Sequence, residues 1–164
     1  MPAGISSVRG FHALLPLALL VAACSDGGDD GGTTPPVDYA SYQAQSAALH
    51  ALWDSVTVSD PSTLPVSGGA TYAGVIRLDA QLGAGEVSMA GALELQASFA
   101  SNSIAGTAQN FVDEADNPLA GVLTISNGAI DRGADTAVEY TFSADLGGVL
   151  SGGGEVFDIT ADLS

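Results

Sequence analysis

Apolar and polar residues alternate along most of the chain beyond residue 64, which is the period of a half-buried β-strand. In residues 70–82, Tyr72, Ile76 and Leu78 share one face, and Arg77 and Asp79 lie on the other. The same alternation predicts five more strands, at 88–100, 103–111, 119–127, 137–146 and 155–164. Turns are predicted between them at 101–102, 113–118, 127–128, 147–148 and 152–154, where Gly, Asn, Asp and Pro concentrate. About six short, one-sided strands predict a mainly β domain, an antiparallel meander that closes toward a β-barrel.

The period changes to that of a helix before the strands. Apolar residues recur at spacings of three and four, namely Tyr42, Leu49, Leu52, Trp53 and Val56. Asp38 is placed to cap the start, and Asp60-Pro61 ends the segment. We therefore predict one amphipathic helix within 38–60, followed by the β-domain at 64–164. Packing against that domain is the expected role of the aromatic side chains, and ligand binding is the alternative.

A separate apolar run of 13 residues occupies positions 11–23, after a single positive charge at Arg9. It is too short for a membrane span, which takes about 20 residues, but it has the length of a secretory signal core. The run ends in Val21, Ala22, Ala23 and Cys24, a pattern that resembles the lipobox read by the lipoprotein signal peptidase. We predict a signal peptide at 1–23 and lipidation of Cys24. The alternative is a plain secretory signal in which this cysteine is incidental.

The segment 24–37 is rich in Gly, Asp and Pro, which predicts a flexible, self-repelling tether. Its Asp-Gly content lacks the spaced ligands and closing glutamate of an EF-hand, so no calcium site is expected. Ser25 directly after Cys24 is compatible with sorting to an outer membrane. The predicted location is therefore the outer membrane, at the cell surface or the periplasmic face, with several acyl chains on one residue as the anchor.

Four short motifs lie in the predicted strands, at 71–74 (TYAG), Phe99, 103–106 (SIAG) and 123–128 (LTISNG). In this order they resemble the small transferrin-binding-protein-B-like barrel lipoproteins. The resemblance implies an eight-stranded barrel on a surface or periplasmic lipoprotein, a fold that the family uses to grip host proteins or haem-carrying partners. The large loops that carry transferrin contacts are absent here, so transferrin binding is not inferred.

The end of the chain departs from that family. Members usually finish with a glycine-rich strand pair of Gly-x-Phe-x-Gly type, whereas this sequence stops at Asp162-Leu163-Ser164. Six strands are predicted where the family has eight. We therefore expect a barrel without its last hairpin, with two free strand edges and part of its apolar interior uncovered.

Charge narrows the possible partners. The whole chain carries a formal net charge of −16, all 19 acidic residues follow Cys24, and only Arg77 and Arg132 oppose them there. Nucleic-acid binding is not expected, because it rests on many Lys and Arg contacts to phosphates. The same acidity disfavours flat contact with anionic lipid, so membrane attachment is assigned to the lipid on Cys24. Solubility explains such a surface, and a basic partner is the alternative.

Candidate chemistry is sparse. His50 is the only histidine after Cys24 and has no second histidine or cysteine to join it, so neither metal binding nor catalysis is expected. The acidic loop at 113–118 is interpreted as a solvated turn, with a weak cation site as the alternative. Arg77 and Arg132 are expected to pair with carboxylates, or else to hold an anionic ligand.

These observations predict a non-enzymatic, lipid-anchored lipoprotein without cofactor. Its expected activity is binding of a small molecule or a protein through the barrel mouth or loops. The alternative is a structural or surface-coat lipoprotein with no discrete ligand.

Overall fold

The structure, a computed structural model, describes residues 37–53, 55, 60–82, 85–135 and 141–163. Cys24, the preceding Val21, Ala22 and Ala23, and nearly all of the predicted tether lie outside the described residues. The elements are helix α1 (Tyr39–Trp53), a 3₁₀ turn (Pro61–Thr63) and strands β1 (Gly69–Leu82), β2 (Gly85–Ser98), β3 (Ser103–Asp113), β4 (Pro118–Leu119), β5 (Leu123–Ile130), β6 (Phe142–Gly152) and β7 (Glu155–Leu163).

All described strands belong to one antiparallel sheet, ordered β1-β2-β3-β5-β6-β7, with the two-residue β4 paired to β3. Neighbours in the sequence are mostly neighbours in the sheet, as in a meander. The predicted mainly β fold with one preceding helix is therefore confirmed. The sheet is not closed: β1 and β7 are the two ends of the described strand order.

The alternation of apolar and polar residues correctly predicted which face of the strands forms the apolar interior. Sixteen buried residues form one cluster on a single face, and its most enclosed members are Phe111, Leu78, Met89, Leu123, Ile125, Leu146, Leu150 and Ile159. The helix lies on the opposite face, so the sheet itself must curve over these side chains to exclude water. Burial of this apolar area is the main stabilising contribution to the domain.

Curvature also changes the expectation for the end strands. Phe157, Ile159 and Leu163 of β7 are 7%, 2% and 4% exposed, and Ile76 of β1 is 4% exposed. The prediction of an uncovered apolar interior is therefore wrong for these side chains. Curving brings both end strands to the same cluster, which shields the interior although the strand edges do not pair.

The predicted turn at Asn127-Gly128 is wrong, because both residues lie inside β5. The β5–β6 register shifts between Ser126 and Ala129, and Asn127 has a φ of 53°. Asn-Gly favours positive φ, which hairpin turns and some bulges both require. The actual break comes earlier, at residues 120–122, and it divides the predicted strand 119–127 into β4 and β5.

Gly147-Gly148 is a second turn signal that the structure places within a strand. These residues pair with Thr124 and Leu123 in the β5–β6 ladder. The strand predicted to end at residue 146 therefore continues as β6 from Phe142 to Gly152, and residues 137–140 of that prediction lie outside the described residues. A Cβ on Gly148 would lie 2.7 Å from the Val122 carbonyl oxygen. Close approach of the neighbouring strand explains the glycine there.

The last predicted turn is confirmed. Gly152 pairs with Glu155, which leaves a two-residue connection between β6 and β7. Gly153 and Gly154 have φ values of 61° and 85°. Positive φ at both central residues is the requirement of a type I′ hairpin turn, which glycine meets without steric cost.

Helix α1 packs on the outer face of the sheet through its N-terminal half. Tyr39 and Tyr42 form a second buried cluster with Ala90 and Val112, and the amide of Ser41 donates to Asp38 Oδ1 at 2.6 Å, as predicted for the cap. The predicted stripe fails at the other end, where Leu52 is 54% exposed and Trp53 37%. Ser46 and Leu49 are only partly buried, so the burial of α1 decreases after Tyr42. Val56 lies outside the described residues.

Candidate functional site

A groove of about 310 Å³ runs between α1 and the outer face of the sheet. Its floor comes from β1 and β2, where Val75, Arg77 and Ala90 line it, and its wall comes from one side of α1, where Tyr42, Ser46 and His50 line it. Its size lies at the lower end of the range of small-molecule sites. The groove is therefore the candidate site for a ligand.

The helix wall is fixed to the sheet at its N-terminal end. The buried Tyr42 hydroxyl donates to the Asn110 carbonyl oxygen at 2.8 Å, and the Tyr39 amide donates to Asp116 Oδ1 at 2.8 Å. Burial raises the pKa of the Tyr42 phenol, so it remains a neutral donor at physiological pH. These contacts hold the wall against β3 and the loop that follows it.

Arg77 supplies the positive charge of the groove. Its Nη2 lies 3.5 Å from Asp79 Oδ1, and the two side chains are 54% and 32% exposed. The same Asp79 oxygen accepts a hydrogen bond of 2.5 Å from Ser88 Oγ. The Arg77 guanidinium has five N–H donors, and within the described part of the chain its polar contact is this one long ion pair. Of the predicted alternatives for Arg77, carboxylate pairing is observed, and donors remain for an anion.

Arg132 has a different role from either alternative that the sequence suggested. Its Nε donates to Asn102 Oδ1, and its Nη atoms donate to the backbone oxygens of Leu64, Pro65 and Phe99, at 2.5–3.1 Å. These bonds join the segment before β1 to the β2–β3 turn. Among the residues that the structure describes, Arg132 therefore binds backbone carbonyl groups and the Asn102 side chain, and it forms no ion pair with a carboxylate there.

His50 is exposed and lies in the last turn of α1, in the helix where the sequence placed it. It lines the groove together with Arg77. Among the described residues, no group of three or more His, Cys, Asp or Glu side chains is arranged to hold a metal ion. The groove is thus lined by His50 and by Arg77, the arginine that donates no hydrogen bond to the backbone among the described residues.

The acidic loop at 113–117 is organised by its own hydrogen bonds. Asp113 Oδ1 accepts from the amides of Ala115 and Asn117 at 2.9 and 2.8 Å, and Oδ2 accepts from Asn117 Nδ2 at 2.9 Å. Partial burial opposes ionisation, but these hydrogen bonds together outweigh it and lower the Asp113 pKa. The geometry favours the solvated-turn interpretation.

Sequence reasoning missed the groove because it treated the outer face of the sheet as polar. Val75 and Ala92 lie on that face, partly buried against the cluster of Tyr39 and Tyr42. Apolar residues on the nominally polar side of adjacent strands were the available signal that another element covers it. The tyrosine spacing of three residues on α1 then identifies the covering surface.

None of the described helices is long and apolar enough to cross a membrane. Two of the motifs behind the family resemblance have local packing explanations: a Cβ on Gly106 would lie 2.7 Å from Leu95 Cδ2, and one on Gly128 would lie 2.8 Å from the Ile104 carbonyl carbon. The resemblance stays a prediction, because no protein-family model, no characterised protein and no solved structure matches the chain.

Proposed function

We propose that this protein is a lipid-anchored, non-catalytic binding lipoprotein of the bacterial envelope, attached through Cys24 to the outer membrane. Its ligand, a solute or a protein segment, occupies the groove between α1 and strands β1 and β2. This differs from the sequence expectation, which placed the ligand at the barrel mouth or loops.

The observation that carries this proposal is the contrast between the two faces of the sheet. The inner face is filled by tightly packed side chains, since Met89, Leu123, Leu146 and Leu150 are 0% exposed. The outer face holds a groove lined by tyrosine, alanine and valine side chains, by a few polar groups of α1 and by the partly exposed Arg77. Ligand sites combine largely apolar walls with a few polar groups, which fits the groove better than the packed interior.

The test is native mass spectrometry of the full mature lipoprotein, released from detergent after incubation with an envelope extract and washing. We expect a bound species of defined mass that is lost when Ser46→Trp fills the groove. Gln96→Trp, at an exposed position of β2 away from the groove lining, is the matched control. A protein that retains no defined ligand or partner, with thermal unfolding unchanged by the extract, contradicts the proposal and favours a structural lipoprotein.

A further inference from the structure

The groove combines an arginine with apolar surfaces in a strongly acidic protein. Resting on the proposed function above, we infer that it selects a small organic monocarboxylate, with Arg77 binding the carboxylate and the apolar residues of the lining packing against an apolar body.

Arg77 is suited to exchange its partner. Its planar guanidinium matches the two oxygens of a carboxylate, and such paired charged hydrogen bonds are stronger than neutral ones. The present partner, Asp79 Oδ1, lies at 3.5 Å and is also bonded to Ser88 Oγ at 2.5 Å. Asp79 therefore keeps a donor when Arg77 turns to a ligand, which lowers the cost of the exchange.

The charge of the protein decides between classes of anion. With a formal net charge of −16, the molecule repels any anion, and the repulsion grows in proportion to ligand charge. A dianionic phosphate experiences about twice this repulsion and also about twice the attraction to Arg77, but Asp79, 3.5 Å from that guanidinium, offsets the attraction. The net electrostatic gain for phosphate is therefore small, whereas a monocarboxylate with an apolar body also gains contact with the apolar lining residues. A monoanion is therefore favoured.

The residues that line the groove indicate the chemistry and size of the ligand beyond its carboxylate. Val75, Ala47 and Ala90 provide apolar contact beside the tyrosines, and Gln43, Ser46 and His50 provide polar groups along α1. A volume of about 310 Å³ accommodates a ring or a short alkyl chain rather than a large ligand. Benzoate and hexanoate are suitable probes of this class.

The sequence offers unusually clean spectroscopic probes, because the chain after Cys24 contains two arginines and one histidine. In the full mature lipoprotein in detergent micelles, the two arginine Nε–H resonances are assigned by comparison with Arg77→Lys. We expect benzoate to shift the Arg77 resonance saturably. The Arg132 resonance is the internal control, since its N–H groups are bonded to Asn102 and to backbone oxygens.

Benzamide, the neutral analogue, and inorganic phosphate should each bind at least about tenfold more weakly than benzoate, and Arg77→Gln should weaken benzoate by about tenfold or more. Gln96→Glu changes the net charge by the same amount at an exposed site on β2 and should leave the affinity within about twofold. Thermal unfolding of both variants checks that they are folded.

Tighter binding of phosphate, or benzoate binding that Arg77→Gln leaves unchanged, overturns the carboxylate inference and leaves the binding function standing. The inference also falls if no probe shifts the Arg77 resonance. The proposed function falls with it only when the native mass spectrum of the extract-treated protein shows no ligand as well.

Discussion

The hydroxyl of Tyr42 on α1 donates a 2.8 Å hydrogen bond to the backbone carbonyl oxygen of Asn110 on β3, a residue with a φ of 57°. This bond joins the helix to the outer face of the sheet at a position where the strand departs from regular extended geometry. Tyr42 is 4% exposed, so water does not readily replace the donor. The contact therefore sets the position of the groove wall.

Tyr42→Phe removes that donor and leaves the ring in place. We expect a loss of about 1 kcal/mol in the free energy of unfolding, because a buried acceptor loses its hydrogen bond. Urea denaturation measures it. Tyr72→Phe is the matched control, since Tyr72 is half-buried on the other face and its hydroxyl makes no hydrogen bond among the described residues; its change should be clearly smaller. Equal changes in the two variants would show that the Asn110 contact does not stabilise the fold.

Two glycines on the inner face of neighbouring strands differ in the space around them. A Cβ on Gly91 would lie 2.7–2.9 Å from three carbon atoms of the Phe111 ring, whereas one on Gly74 would have no atom within 4 Å. We expect Gly91→Ala to destabilise the domain by about 1–3 kcal/mol through overpacking. Gly74→Ala should be neutral or stabilising by about 0.5 kcal/mol, since it lowers the entropy of the unfolded chain. Thermal and urea unfolding compare the two, and equal losses contradict the packing explanation.

The interior and the groove were unequally predictable from the sequence. Leu78, Met89 and Phe157 are buried as their alternation predicted, because a period of two fixes the face of each residue once a strand forms. Asn127-Gly128 misled because the same backbone preference serves a turn and a bulge. The groove depends on which outer residues α1 covers, a long-range relationship that no local period contains.

We expect Arg132 to stabilise the fold mainly through its hydrogen-bond donors rather than through its charge. Arg132→Lys keeps the charge but cannot reproduce hydrogen bonds to Asn102, Leu64 and Phe99 together. We expect the free energy of unfolding to fall by about 2 kcal/mol or more. Arg77→Lys, at a half-exposed ion pair, should change it by less than about 0.5 kcal/mol. Urea unfolding of both variants measures the difference; similar losses would refute this role.

The lowered pKa of Asp113 predicts part of the loss of folding stability in acid. Its pKa is lower in the folded protein than in the unfolded chain, despite partial burial, because Asn117 and Ala115 donate hydrogen bonds to it. The stabilisation is present above the unfolded pKa of about 3.9 and is lost as pH falls through the lower folded pKa. Asp113→Asn should therefore flatten the loss of stability below about pH 4. Urea unfolding between pH 3 and 6 measures this, with Asp158→Asn, exposed on β7, as the control for removing one charge. An unchanged acid response in Asp113→Asn contradicts it.

Lipid attachment is the prediction on which the proposed location depends. Cys24 is the only cysteine of the chain and directly follows Val21, Ala22 and Ala23. A thioether-linked lipid requires that thiol, and stable anchoring requires more than one acyl chain on the residue. Labelled palmitate should therefore enter the wild-type protein and not Cys24→Ala, which should leave the membrane fraction or accumulate with its signal peptide uncleaved. Cys24→Ser keeps nearly the same side-chain size but lacks the sulfur, so it tests whether the loss of labelling is caused by the missing thiol. Full labelling of either variant would mean that the lipid lies elsewhere, and the outer-membrane assignment would lose its basis while the groove and its ligand remained open to the same tests.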